Sequence, residues 1–328
     1  MDFKLTEDQK ALRDTLRDFL EGTCPVEKLV DLEKSTAIDR DLWASLAEMG
    51  VFGLRLSESE GGVGLGNADA VIVFFELGRR LVPGPIAWTH LAAGLVDGAA
   101  SGETIVGGLD LCGADAGEPY LVEHLDSLDV LLLLKPDGVY RVDPKTLTGT
   151  PVETPLDPLT PLTHVKDLPA GEQILDAKGA AQLRLEGAAL VSGQLLGIAE
   201  ATLELANAYA KERQQFNRPI GGFQALKHIL ADMFVRQEVC RAAAYAAGAT
   251  LDAPDVASVE RAVAAAKVTC SEAGLRNSRS CIQVHGGMGY TWEVPAHYYM
   301  KRTWVLSSVF GDEDEYALAS ADLIGAEA

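Results

Sequence analysis

Two short segments carry residue types that could grip an anionic nucleotide. The first reads Glu212-Arg213-Gln214-Gln215-Phe216-Asn217-Arg218-Pro219-Ile220-Gly221-Gly222-Phe223-Gln224. Its Arg213 guanidinium can pair with a pyrophosphate, its glutamines Gln215 and Gln224 can donate to and accept from an adenine or a ribose, and Phe216 offers an apolar face. The second reads Gln283-Val284-His285-Gly286-Gly287-Met288-Gly289-Tyr290, and its glycines let backbone pass close to a ligand. Residue types alone leave a plainer reading open for each segment. The first is also what an interhelical turn with solvated arginines looks like, and the second a helix C-cap followed by a tight turn. His285 taken alone is more often a core histidine than a ligand or a base.

The elements that must hold these segments are mostly helices. Thr6 and Gln9 form a capping-box pattern, after which Leu12, Leu16, Phe19 and Leu20 recur near the helical period. A second helix is expected from Asp39 to Gly50 and a third from Asn67 toward Leu81, stopped by Pro83 and Pro85. The Gly-rich stretch Ser57–Gly66 follows no strand and lacks a basic partner, so it reads as a loop and not as a phosphate cradle. Between 101 and 180 the apolar runs Leu128–Leu134 and Val139–Val142 sit among Gly, Pro and Asp clusters, which predicts a small β region, with Pro151–Pro161 an irregular surface segment. From 181 to 328 helices are expected over Gln182–Lys211, Gln224–Leu251, Asp255–Val284 and a shorter stretch after Glu293. The first of these is apolar nearly all round, which places it inside the domain or at a subunit contact. The chain therefore reads as mainly α with a small central β domain, in three parts: 1–100, 101–180 and 181–328.

Charge narrows the partners. Lys and Arg total 28 against 48 Asp and Glu, and the resulting net charge of −20 repels nucleic acid and anionic membranes alike. The five cysteines are scattered and never spaced as CxxC, which supports neither a zinc site nor a disulfide framework and points to the reducing cytoplasm. No run of about 18 apolar residues suggests a membrane span. In so acidic a chain, an anionic cofactor would need local cations such as Arg213.

The pair RQQFNRPIGGFQ and QVHGGMGYTWEVP resembles the paired RxxFGxPIxxFQ and QxxGGxGYxxExP signatures of the acyl-CoA dehydrogenases, and SESEGGVGLGNADAVIVFFELGR resembles their N-terminal loop and helix. The resemblance implies N-terminal helices, a β-barrel-like middle and a C-terminal four-helix bundle. It also implies that the two C-terminal motifs reach across a subunit interface to the ADP half of a neighbour's FAD. By position, Arg213, Gln215, Phe216, Gln224, Gln283, Gly286 and Gly287 would make those contacts. Asn217 stands where the family has glycine, a mild departure because Asn tolerates the left-handed region.

The family reaction needs a carboxylate against the substrate α-carbon to take a proton while hydride passes to the flavin. Counting from GGMGYTWEVP, the usual glutamate position falls on Phe310. The alternative family position, on the first bundle helix, falls on Gly187. Glu186 is adjacent but turned by about 100° on a helix, and the acid run Asp312–Glu315 reads as a solvated face. The central region also lacks a YCxTEPxxGSD-like segment, of which Cys112–Pro119 is only a faint echo. This division resembles the α2β2 acyl-CoA dehydrogenases of actinobacterial steroid side-chain degradation. The expectation is a non-catalytic subunit of a hetero-oligomer. A full-length dehydrogenase subunit would supply the glutamate, acyl-CoA would be the substrate, and an electron-transfer flavoprotein would be the acceptor by family analogy. The rivals are a homomeric enzyme using Glu186 and a flavin-free scaffold of the same fold.

Overall fold

The structure is a computed structural model that describes residues 4–26, 29–33, 38–113 and 119–325. Helix α1 (Glu7–Thr23) starts on the Thr6–Gln9 capping box, with both reciprocal hydrogen bonds made. A single turn, α2 (Leu29–Leu32), leads to α3 (Arg40–Glu48), whose N-cap Asp39 accepts the Asp41 and Leu42 amides. Helices α4 (Asn67–Arg79) and α5 (Ile86–Ala92) follow. Helix α5 was not expected from the residue pattern: it is a seven-residue helix after Pro83 and Pro85, buried along its whole length.

The middle of the chain forms two small sheets. Strands β1 (Val106–Asp110), β3 (Val130–Lys135), β4 (Gly138–Val142) and β7 (Glu172–Asp176) make the first in the order β1-β3-β4-β7, and only the β1–β3 pair is parallel. Strands β2 (Tyr120–Glu123), β5 (Gly149–Pro151) and β6 (Leu162–Val165) make the second, antiparallel in the order β2-β6-β5. The Pro151–Pro161 segment is irregular as expected, but it does not stay at the surface. Asp157, Leu159 and Thr160 are buried because Asp157 pairs with Arg302 from the helical part, and a buried guanidinium requires such a partner.

Helix α6 (Ala177–Glu212) is the axis of the molecule, packed against α4, the first sheet, and the helices α7 (Gln224–Asp252), α8 (Val259–His285) and α9 (Ala296–Ser308). It is long and apolar enough to cross a membrane by length and composition, yet most of that stretch is buried inside the fold. Glycines let α4 and α6 touch backbone to backbone. A Cβ on Gly197 would lie 2.1 Å from the Phe75 carbonyl oxygen, and one on Gly78 2.1 Å from that of Gln194. Helix α8 starts at Val259, later than the sequence suggested, because Ser258 caps it by accepting the Arg261 amide. The last helix, α10 (Glu313–Gly325), occupies what reads in sequence as an acid run, with Asp312 accepting the Glu315 amide at its start.

Candidate functional site

The first motif forms the connection between α6 and α7. Two-residue strands β8 (Gln214–Gln215) and β9 (Arg218–Pro219) fold it into a hairpin, with Phe216 and Asn217 at its tip in the left-handed region, φ 52° and 59°. Arg213 anchors the base of the hairpin, donating its amide to Tyr209 and accepting the Ile220 amide, both at 2.8 Å. Arg213, Gln215, Phe216 and Gln224 are all exposed, Phe216 by 86%. The second motif ends α8: Gln283, Gly286 and Gly287 are exposed, and a Cβ on either glycine would meet no atom within 4 Å. Beneath both motifs lies a hydrophobic cluster separate from the main core, containing Ala206, Ala210, Met233, Cys281, Ile282 and Val284. The structure thus brings the two segments onto one base.

The same place gathers several unpaired cations. Among the described residues, Lys211, Arg213, Arg218 and Lys227 have no ion-paired carboxylate, in a chain of net charge −20. Arg218 lies over the Phe223 ring at 3.9 Å. Lys211 and Lys227 line a cleft of about 380 Å³ with Asn207, Pro219 and Gly221. Sequence reasoning passed over these two lysines, although a cation-rich stretch in so acidic a chain was the available signal. Free cations, amide side chains, an exposed ring and open glycines suit the phosphate-bearing half of a dinucleotide such as FAD.

The two positions marked by counting from the motifs as the expected places of a catalytic carboxylate, Gly187 and Phe310, meet each other. A Cβ built on Gly187 would sit 2.7 Å from three atoms of the Phe310 ring, so the ring lies flat against the helix backbone. The ring is fully buried and its other neighbour is Trp88 of α5, with centroids 4.5 Å apart. Phe310 itself is held at φ 56°, a left-handed conformation that side chains adopt only when surroundings impose it. Those surroundings are specific: Tyr316 donates to the Phe310 carbonyl at 2.9 Å, and the buried Lys267 ammonium donates to Leu306 and Val309 carbonyls at 3.0 and 2.5 Å. Burial, reinforced by Arg184, pushes Lys267 down to about 7. The space beside Gly187 is filled by a phenyl ring.

Nearby acids are occupied elsewhere. Glu186 accepts from Arg55 at 2.8 Å and from Gln182 at 2.8 Å. Arg55 also donates to Asn67 and, through Nε, to His90 Nε2 at 3.0 Å. His90 Nδ1 lies 2.8 Å from the Val51 carbonyl and must donate there, which leaves Nε2 as the lone pair facing Arg55. Glu315 pairs with Arg184, which also holds Asp110.

Burial, with Arg55 adding to it, pushes His90 down to about 3 from an ordinary 6.5. Unfolding therefore takes up a proton at His90 between those two pH values, so its contribution to stability is full above 6.5 and is lost as pH falls toward 3. Replacing His90 with Gln should reduce the slope of unfolding free energy against pH by one proton in that window, about 1.4 kcal/mol per pH unit. Urea titrations at several pH values would test this, and an unchanged slope would refute it.

Comparison with known proteins gives the same architecture a family. The acyl-CoA dehydrogenase N-terminal domain matches residues 6–101 and the acyl-CoA dehydrogenase C-terminal domain residues 180–317. The chain is 33% identical to the acyl-CoA dehydrogenase IpdE2 of Mycolicibacterium smegmatis, covering 95% of this chain and 97% of that one. It is 32% identical to the acyl-CoA dehydrogenase FadE34 of Mycobacterium tuberculosis over 94% of its length, but spans only 46% of that longer protein. Among solved structures, the ChsE4–ChsE5 complex of Mycobacterium tuberculosis superposes with a TM-score of 0.86 at 23% identity, covering 99% of both chains. The Tcur3481–Tcur3483 steroid ACAD superposes with a TM-score of 0.85 at 24% identity, covering 98% of this chain and 99% of that one. The chain belongs to the acyl-CoA dehydrogenase family.

Proposed function

We propose that this chain is the non-catalytic subunit of a hetero-oligomeric, FAD-dependent acyl-CoA dehydrogenase. The observation that carries the reading is the contact between Phe310 and Gly187, which fills with a phenyl ring the one place where the family sets its base. A partner of the same family, with a glutamate there, supplies the proton acceptor and the flavin-ring pocket. This chain contributes Arg213, Gln215, Phe216, Gln224, Gln283, Gly286 and Gly287 to the nucleotide half of the partner's FAD. The flavin, when bound, accepts the hydride; this chain's residues hold its phosphates and adenosine.

Distance along α6 supports the sharing. Gly187 and Arg213 stand on and at the end of one helix, about 39 Å apart at 1.5 Å per residue. A loop so far from that position on its own chain supports the reading that it serves another chain. The outer face of α7 leaves Phe234, Val235 and Val239 more than half exposed, an apolar surface suited to a subunit contact. The related complexes ChsE4–ChsE5 and the steroid ACAD Tcur3481–Tcur3483 each join two named chains, which supports an α2β2 assembly and an acyl-CoA with a steroid side chain as substrate. An electron-transfer flavoprotein is the acceptor by family analogy. A self-sufficient enzyme based on Glu186 would first have to release that carboxylate from Arg55.

Co-expression with a full-length family partner, followed by measurement of flavin per assembly, tests the proposal. One FAD per unlike pair is expected, with no tight flavin on the isolated chain. Stoichiometric FAD and acyl-CoA oxidation by the isolated chain would overturn it.

A further inference from the structure

We infer that the ring stack between Tyr209 and His285 is the cross-link that sets the spacing of the two nucleotide-facing loops, which makes both of them positioning residues. The inference rests on the shared-flavin reading for its ligand, but its structural half stands on this chain alone. The two rings lie 4.3 Å apart with planes at 26°, a stacked arrangement. Tyr209 is on the last turn of α6, and its carbonyl accepts the Arg213 amide at 2.8 Å, so its ring is tied directly to the base of the first loop. His285 is the last residue of α8 and immediately precedes Gly286, where φ turns to 60° and the chain leaves the helix.

The imidazole is fixed from its own side as well. His285 Nδ1 lies 2.8 Å from the Cys281 carbonyl and must donate to it, which sets the plane of the ring. Burial lowers the His285 pKa, so the ring stacks in its neutral form. The second loop then folds back over it: a Cβ on Gly289 would lie 3.2 Å from the His285 Cβ. Beyond this pair the loops run out into solvent, with Phe216, Gln215, Gln283, Gly286 and Gly287 exposed. The ring pair is a fixed contact that joins one loop base to the other. A dinucleotide gripped by Arg213 on one side and by Gln283 on the other binds only if their separation is preset, since ordering it on binding would cost affinity.

The test uses His285→Ala, which removes the ring, and His285→Phe, which keeps an aromatic ring but loses both ring nitrogens, the Nδ1 donor among them. In the isolated chain, hydrogen exchange should quicken in His285→Ala at residues 213–218 and 286–290 together, and return toward the parent in His285→Phe. In the assembly with its partner, the FAD dissociation constant should rise about tenfold in His285→Ala, the scale of one aromatic pair, and recover to within about threefold in His285→Phe. Unchanged exchange at 213–218 in His285→Ala overturns the cross-link, and so does an equal loss in both variants. Unchanged FAD affinity in His285→Ala, where Arg213→Ala loses it, overturns the positioning role. If neither variant alters flavin affinity, the shared-flavin reading fails, and the exchange experiment alone decides the cross-link. Should His285→Ala not fold, Tyr209→Leu removes the same stack from the other helix.

Discussion

Phe310→Ala is expected to lower folding stability by about 3–5 kcal/mol, the usual cost of deleting a buried phenyl ring from a site that cannot collapse. Collapse is prevented from several directions. Gly187 belongs to the backbone of α6, Trp88 is held in the buried α5, and the carbonyls flanking the ring are fixed by Tyr316 and Lys267. Gly187→Ala attacks the same contact by overpacking, since its Cβ would fall 2.7 Å from the ring, and should cost about 1–3 kcal/mol. Combining Gly187→Ala with Phe310→Leu should cost less than the sum of the two, because the residues share one space. Urea unfolding of the parent, the three single variants and the double variant measures this, and an additive result with a Phe310→Ala loss below about 1 kcal/mol would show that the ring is not the plug. Restoring the family residue with Phe310→Glu should yield no oxidation of acyl-CoA by the isolated chain. A carboxylate there would be buried without a partner and without a substrate beside it.

The second large effect concerns affinity rather than stability. Arg213→Ala in the assembled complex should weaken FAD by about 10- to 100-fold, the scale of a charge-assisted contact to a phosphate. The side chain is exposed and free of ion pairs among the described residues, so unfolding of the isolated chain should move by no more than about 0.5 kcal/mol. Fluorescence titration of the apo-assembly gives the affinity directly. Wild-type affinity in Arg213→Ala would favour the flavin-free scaffold.

Much of the helical frame was legible because its boundaries are written in local chemistry. Asp39 caps α3, Thr6 and Gln9 box α1, and Phe223-Gln224 opens α7 at the expected residue. Elements whose reason is tertiary were not legible. Helix α5 survives between prolines and strands because it is buried on every side. Asp157, within a proline-rich stretch that reads as surface, is drawn inward by Arg302. The acid run after Phe310 became a helix because Asp312 caps it and Glu315 finds Arg184. For the site, Gly187 and Phe310 could be marked, by counting from the motifs, as the expected places of a base. That these two positions lie against each other could not, because only packing brings a helix interior and a left-handed turn together. The joining of the two loops by Tyr209 and His285 was hidden for the same reason, since Tyr209 belongs to no recognisable pattern and His285, though inside the second motif, reads alone as a core histidine.

The bare backbone contact between α4 and α6 limits where this sequence can vary. The interior accommodates the Phe310 ring because side chains nearby, Trp88 among them, can be chosen to suit. Gly78 and Gly197 allow no such exchange, since even one methyl group would have to occupy the place of a peptide oxygen on the facing helix. Side-chain filling is therefore the replaceable part of this protein, and the crossing of its two central helices the part that substitution cannot reach.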